Sequence, residues 1–520
     1  MTTGPETPAP IGRWLVGAAV VVALVALGKD LAIDEESYRW LGRVVRAADP
    51  YDWSRAWQGH DGWLYAHPPL FLWWSSAWSD VESLPLARLS GLPWVVLWAA
   101  SSVLWIRRTT HHPEVAAVAW LGSTTVVLGL QDTLMIDLPY VALSTAALAA
   151  YRESLYDPRP RWLLLGGVAL GAAIETKYPA ALLVPVVALH AWRNRVAARA
   201  YFGPAGAVVL GIEGWLYAQH QAWHPLAVWQ NRELIAHGPL SGRVLGTLSR
   251  AALLPATAGL LYLRPAHAAV GAGLGLAALA WARPAGLDLG ELLFLLVAAA
   301  LGGAALSRGV GGLLASPLRR RKGDHDDALL LGGTVVATFL GVFFLHNYAS
   351  ARYLLPAATP LAILLARAAE EVAHGKRVQL SVSALAGVLA TALAFADAQY
   401  TAAGRTAAQQ ALDAARVTDP RPGRFLAEWS ARAALEDAGW RPLGEPAGAV
   451  SGETVIVLRN SGGRVPDSWE PLAAFPVEGL PLRVIDVDAQ IGLYAETLGV
   501  LPFGLSARPV ETAVVYEVRP

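Results

Sequence analysis

Five short runs of this chain set ionisable side chains beside apolar stretches, in types that could do chemistry together. Asp34-Glu35-Glu36-Ser37-Tyr38 follows the first apolar stretch, and Tyr65-Ala66-His67-Pro68-Pro69-Leu70 precedes a short aromatic one. Gln131-Asp132 and Asp137 lie between the third and fourth stretches, Glu175-Thr176-Lys177-Tyr178-Pro179 closes the fifth, and His346 to Tyr353 follows the eleventh. A carboxylate can take a proton from an attacking group, while Lys and Arg can hold a departing anion as its charge develops. Charges of either sign are costly at membrane depth unless paired or solvated, so their convergence on one edge of a helical bundle would mark a site.

The elements that must position them are membrane helices. The 520 residues are 54% hydrophobic and 16% charged, with a mean hydropathy of +0.39, a balance foreign to a water-soluble chain. A spanning helix needs roughly 20 mostly apolar residues. Thirteen such stretches can be marked, near 13–28, 89–106, 114–131, 138–151, 162–176, 179–192, 201–218, 244–263, 266–282, 291–307, 328–346, 353–370 and 379–396. The first runs into Gly28-Lys29-Asp30 and lacks a small-x-small cleavage site, so an uncleaved anchor is expected. With the N-terminus inside, sixteen Lys and Arg fall in the inner loops against eleven outside. An odd number of crossings then places the C-terminal tail outside, on the side to which all five polar runs open.

Two segments depart from simple spans. Residues 29–88 form a long outer loop with seven of the 21 Trp, a residue that favours the headgroup level, so this loop should lie on the membrane surface. Residues 34–48 read as a helix with Arg39, Arg43 and Arg46 on one stripe and Trp40, Leu41, Val44 and Val45 on another. Residues 69–79 are too short to cross and should lie flat or re-enter. The tail, 397–520, brings charge, Gly and Pro, with β-like runs at 423–429, 454–459, 483–488 and 512–518 and a helix over 431–438 ended by Gly439. The expected fold is therefore an all-α polytopic membrane protein of about thirteen helices (1–396) followed by a small soluble α/β domain (397–520). Balanced charge, 41 basic against 41 acidic residues, argues against a nucleic-acid surface, and the absence of Cys excludes disulfides, thiolate metal sites and thiol nucleophiles.

Taken in order, Asp34-Glu35-x-x-Tyr38, Pro68-Pro69-Leu70, Asp137, Thr176-Lys177-x-Pro179 and Arg352-Tyr353-Leu354-Leu355-Pro356 resemble the integral-membrane glycosyltransferases of the GT-C fold, family 39 type. That family includes protein O-mannosyltransferases and the bacterial aminoarabinose transferase acting on lipid A, and the resemblance covers roughly residues 10–400. It implies a sugar donor carried on polyprenyl phosphate, an unidentified acceptor at the outer face of the plasma membrane, and Asp34 as catalytic base, with Glu35 and Asp137 beside it. Tyr38, His67, Lys177, Tyr178, Arg352 and Tyr353 are then the substrate-binding candidates. The residues agree: the inner loops are too short for a nucleotide-binding domain, so a donor used outside must arrive on a lipid. A phosphate leaves with little help from an acid, and one displacement with one base predicts inversion at the anomeric carbon. The aminoarabinose transferase carries an Arg soon after the acidic pair and a Glu-Lys before the double proline; this chain has Ser37, Ala66 and His67 there, so donor recognition does not carry over. No cofactor is required, and a divalent ion bridged by Asp34 and Asp137 stays open.

Each signal has a blander reading. Asp34 and Glu35 also suit a helix N-terminus, Lys177 and Arg352 could be snorkelling helix ends, and Glu36 and Asp132 read as solvated. His220 and His224 have i, i+4 spacing with Glu233 and His237 beyond, yet Pro225 interrupts any helical metal site. Asp324 to Asp327 reads as a solvated inner loop. Gly271-x-Gly273-x-Gly275 and Gly167-x-x-x-Gly171 lie within spans and read as helix packing. One rival function is a transporter or lipid flippase, which would want ionisable groups near mid-bilayer and repeated halves with broken helices, and another is a non-enzymatic membrane assembly protein that binds through its outer domain.

Overall fold

The computed structural model describes residues 10–25, 27, 29, 35, 38, 39, 42, 67–130, 134–194, 196, 198–230, 239–251, 255–315, 327–346, 349–418, 421–443, 446–460, 465–495 and 497–519. Asp34, Glu36, Asp132, Glu233, His237 and most of the proposed 34–48 helix lie outside these residues.

Helix forms over every one of the thirteen apolar stretches. Up to the middle of the chain the helices are α1 (Pro10–Val25), α2 (Leu70–Ser76), α3 (Leu84–Arg88), α4 (Leu92–Thr109), α5 (Pro113–Leu130), α6 (Asp137–Ser154), α7 (Pro160–Ile174), α8 (Leu183–Asn194), α9 (Ala198–His220) and α10 (His224–Gln230). Then come α11 (Leu240–Ala251), α12 (Leu260–Leu263), α13 (Pro265–Ala282), α14 (Leu289–Ala315), α15 (Asp327–Phe344), α16 (Ala358–Glu370), α17 (Gly375–Thr418) and α18 (Trp429–Asp437). Among the described residues five helical segments are long and apolar enough to cross a membrane: Leu84–Thr109, Pro265–Ala282, Leu289–Leu314, Asp327–Phe344 and Gly375–Val417. On that ground the chain is an integral membrane protein. The eighth stretch, 244–263, is not one helix: a 3-10 turn at Pro255–Gly259 separates α11 from α12, since Pro255 has no N–H to continue the ladder.

Small residues let these helices approach closely, as the glycine spacing suggested. A Cβ at Gly167 would sit 2.1 Å from the Tyr201 carbonyl oxygen, and one at Gly271 2.4 Å from that of Ala300, which fixes the α7–α9 and α13–α14 contacts. At the end of the bundle that holds Arg152, Asp327 is not in a solvated loop. It opens α15 and is buried between Arg152 and Arg367, whose Nη2 donates to its Oδ2 over 2.9 Å, because a carboxylate at a helix start is the natural partner for cations on the packed neighbours α6 and α16.

The expected boundary at 397 falls inside a continuous helix. α17 has 44 residues, roughly 66 Å of rise, and carries the chain from the bundle to Thr418, six residues before the first tail strand. The tail sheet has the order β2-β1-β3-β9-β4, with β1 (Arg424–Leu426), β2 (Arg441–Pro442), β3 (Thr454–Leu458), β4 (Trp469–Val477) and β9 (Glu511–Val518); short strands β5 to β8 fall between residues 482 and 505. β4 is the longest strand and the one the pattern concealed, because Pro471 and Pro476 break its alternation; both are tolerated because β4 is an edge strand. Gly439 ends α18 with φ +84°, a conformation that favours glycine.

The tail is locked to the bundle. Lys29, just past α1, is ion-paired with Asp397 of α17, whose other oxygen accepts from the Tyr494 hydroxyl. Arg250, fully buried at the end of α11, donates to the carbonyls of Gly492 and Gly499 (2.7 Å to the latter), and Phe294 meets Phe503 edge-on with centroids 5.1 Å apart. Ile491 and Leu501 of the tail belong to the same core as the helices.

Within the tail, Glu511 is buried and accepts from the backbone of Asn460 (3.1 Å) and Thr512 (2.9 Å). Desolvation outweighs these bonds and the nearby Arg459, pushing its carboxyl up to about 7. An acid whose folded value is raised binds more protons folded than unfolded, so its contribution is full below the ordinary carboxylate range and falls as pH rises to about 7, by roughly 3 kcal/mol. Amide hydrogen exchange along β9, corrected for intrinsic rates, should therefore be better protected at pH 5 than at pH 8, and Glu511→Gln should flatten that difference.

Candidate functional site

The site is assembled where several helices end. Asp137 is the first residue of α6, Lys177 follows α7 in extended conformation, and Arg352 opens the 3-10 turn Ala351–Ala357 before α16. Burial brings them together: Lys177 Nζ lies 2.6 Å from Asp137 Oδ1 and Arg352 Nε 3.5 Å from Oδ2, with all three side chains at most 6% exposed. Among the described residues two cations thus share one carboxylate. The Lys177 ammonium also sits 4.1 Å from the centroid of the Tyr353 ring, which is stacked on His346 (3.9 Å, 16°), so an aromatic wall backs the cation. Arg243 of α11 holds the His346 carbonyl at 2.8 Å.

The Pro68-Pro69 motif delivers the fourth side. The Leu70 N–H donates to the Glu175 carbonyl over 3.1 Å, and Trp73 and Trp74 of α2 meet Trp215 and Trp94 edge-on at 5.8 and 5.1 Å. This pins the short helix between α9 and α4. His67, just ahead of it, lies near enough to feel the charges of Lys177, Asp137 and Arg352; desolvation and then Lys177 push its imidazole down, which leaves it neutral. The Tyr178 hydroxyl donates to Glu213 Oε1 (2.8 Å), with His224 on the same hydroxyl.

Of the sequence candidates, Asp137, Lys177, Arg352, Tyr353 and His67 come together, and Tyr178 is bonded to Glu213. Glu35 is committed elsewhere: Arg88 grips both its oxygens (3.1 and 2.7 Å) and donates to the carbonyls of Leu27 and Lys29, fixing the end of the first span. Tyr38 packs edge-on against Phe71 of α2 at 5.1 Å. These two hold the start of the first loop against α2 and α3; Asp34 itself lies outside the described residues. Glu175, named from sequence only as part of a polar run, and Glu213, not named, are both buried, and His224 serves as a hydroxyl partner rather than a metal ligand candidate. The signal was available, since Glu175 ends a span and Glu213 sits inside one, where an ionisable group is rare without a function. Among the described residues no group of three or more His, Asp or Glu is placed to hold a metal ion.

Ala351, next to Arg352, packs with Tyr400, Ile485, Leu493 and Tyr494, so the tail lies directly against this end of the bundle. No family model and no curated protein matches the chain. Two solved structures are similar in outline, those of ArnT from Cupriavidus metallidurans bound to undecaprenyl phosphate and in the apo state. Each is 18% identical and covers 86% of this chain and 92% of that one, with TM-scores of 0.45 and 0.41.

Removing one member of a buried ion pair leaves an uncompensated charge and costs about 3–5 kcal/mol. Asp137→Ala should therefore lower the melting temperature of the detergent-solubilised protein. Adding Lys177→Met should return part of that loss, a coupling that unfolding of the double variant would reveal.

Proposed function

We propose that this chain is a GT-C-type membrane glycosyltransferase that moves a sugar from polyprenyl phosphate to an acceptor at the outer face of the membrane, with thirteen crossings and a cytoplasmic N-terminus. The observation that carries the reading is the meeting of Lys177 and Arg352, from separate elements, on Asp137 in a buried polar tract beneath the tail. Cations held in place before the reaction are suited to a leaving phosphate, because they stabilise its charge without reorganising as it develops. Asp137 orients Lys177, and the Tyr353 ring backs it. Arg352 offers a planar fork matched to phosphate oxygens.

Asp34 is the proposed base that takes the acceptor's proton as its oxygen or nitrogen attacks the anomeric carbon. The bond to phosphate breaks in the same step, and a single displacement inverts the centre. Glu35, clamped by Arg88, anchors the start of the first loop. The tail, seated on Ala351 and continuous with α17, helps select the acceptor.

Asp34→Asn should leave the protein folded and inserted while lowering consumption of the lipid-linked sugar by about 10²- to 10⁴-fold, the usual worth of general-base catalysis. Donor loss, followed by mass spectrometry in membranes supplying the acceptor, checks this. Turnover at the unaltered rate in that variant would remove the assignment.

A further inference from the structure

The cationic pair has an acidic neighbour that it does not explain. Glu175 is fully buried, and among the described residues neither of its carboxyl oxygens has a hydrogen-bond partner. Glu213, 3% exposed, bonds Tyr178 through one oxygen and leaves the other without a partner, and its charge acts on Glu175. Buried polar groups are normally satisfied, and an orphaned carboxyl costs free energy unless a ligand completes it. These two acids, with the Tyr178 hydroxyl that joins Glu213 to the His224 ring, form a polar cradle rather than a structural ion pair.

Along the chain the cradle adjoins the anion site. Glu175 and Lys177 are two residues apart, which sets their Cα atoms about 6 Å from one another, close to the width of one sugar ring. His67 feels both Lys177 and His224 and so stands where the two halves meet. A molecule with an anionic end and a hydroxyl-rich end would satisfy both halves at once.

We propose that Glu175 and Glu213, with Tyr178 and His224, bind the hydroxyl groups of the donor's sugar while Lys177 and Arg352 hold its phosphate, so that Glu175 is a specificity-determining residue. This rests on the glycosyltransferase reading above and adds to it a place for the sugar. Hydrogen bonds from sugar hydroxyls would complete carboxyl oxygens that are otherwise buried and unsatisfied, so losing them costs about tenfold in affinity.

The test compares binding of undecaprenyl phosphate with that of undecaprenyl phosphate bearing glucose, mannose, galactose, N-acetylglucosamine or arabinose, on the full chain in detergent. Wild-type protein should prefer at least one sugar-bearing lipid to the bare one. Glu175→Gln should bind the bare lipid as wild type does and lose about tenfold for the preferred sugar lipid; Glu213→Gln, as an independent second variant, should show the same selective loss. Absence of any preference in wild type, unaltered binding of both lipids by both variants, or an equal loss for both lipids would overturn the proposal. Lys177→Met separates it from the reading beneath it. That variant should weaken bare and sugar-bearing lipids alike, and unchanged binding of undecaprenyl phosphate there would defeat the glycosyltransferase reading, whatever the Glu175 result.

Discussion

Asp137 sits 2.6 Å from Lys177 Nζ and 3.5 Å from Arg352 Nε in a setting where none of the three has bulk water to fall back on. Desolvating a charge costs more than a single Coulomb contact returns, so such a cluster persists only where the surrounding packing over-determines it. Here the packing does. α6 begins, α7 ends and the turn before α16 opens at the same place, α2 is wedged alongside by two tryptophans, and the tail closes over Ala351. The polar tract is what those helix ends have in common, and moving any one of them would strand a buried charge.

The rest of the molecule reads as support for that arrangement. α11 touches it through Arg243 on the His346 carbonyl, and the far end of the same helix holds the tail through Arg250. α17 then ties bundle and tail into one length of helix, with Lys29 and Tyr494 converging on its Asp397. Tail position and site geometry are thus coupled through rigid elements.

Much of this was legible in the sequence because apolar length and the position of charges at helix ends are local signals. Lys177, Arg352 and Asp137 stood out as ionisable groups at span ends, and they do meet. What the sequence concealed depended on partners distant along the chain. Glu35 looked like a member of the reactive set, but its nature is decided by Arg88, 53 residues on. Glu175 looked like one more polar residue in a helix-end run, and only burial without a partner distinguishes it. β4 was hidden by two prolines whose cost vanishes at a sheet edge, and the continuity of α17 by a change of composition that did not break the helix.

The central claim is that Lys177 and Arg352 form a binding place for the phosphate of a lipid-linked donor. The most direct measurement is an electron cryo-microscopy structure of the protein in nanodiscs containing undecaprenyl phosphate. The account predicts phosphate density within hydrogen-bonding distance of Lys177 Nζ and the Arg352 guanidinium, with the lipid chain leaving toward the bilayer. Phosphate density at another part of the bundle, with the Asp137 cluster closed and untouched, would contradict it.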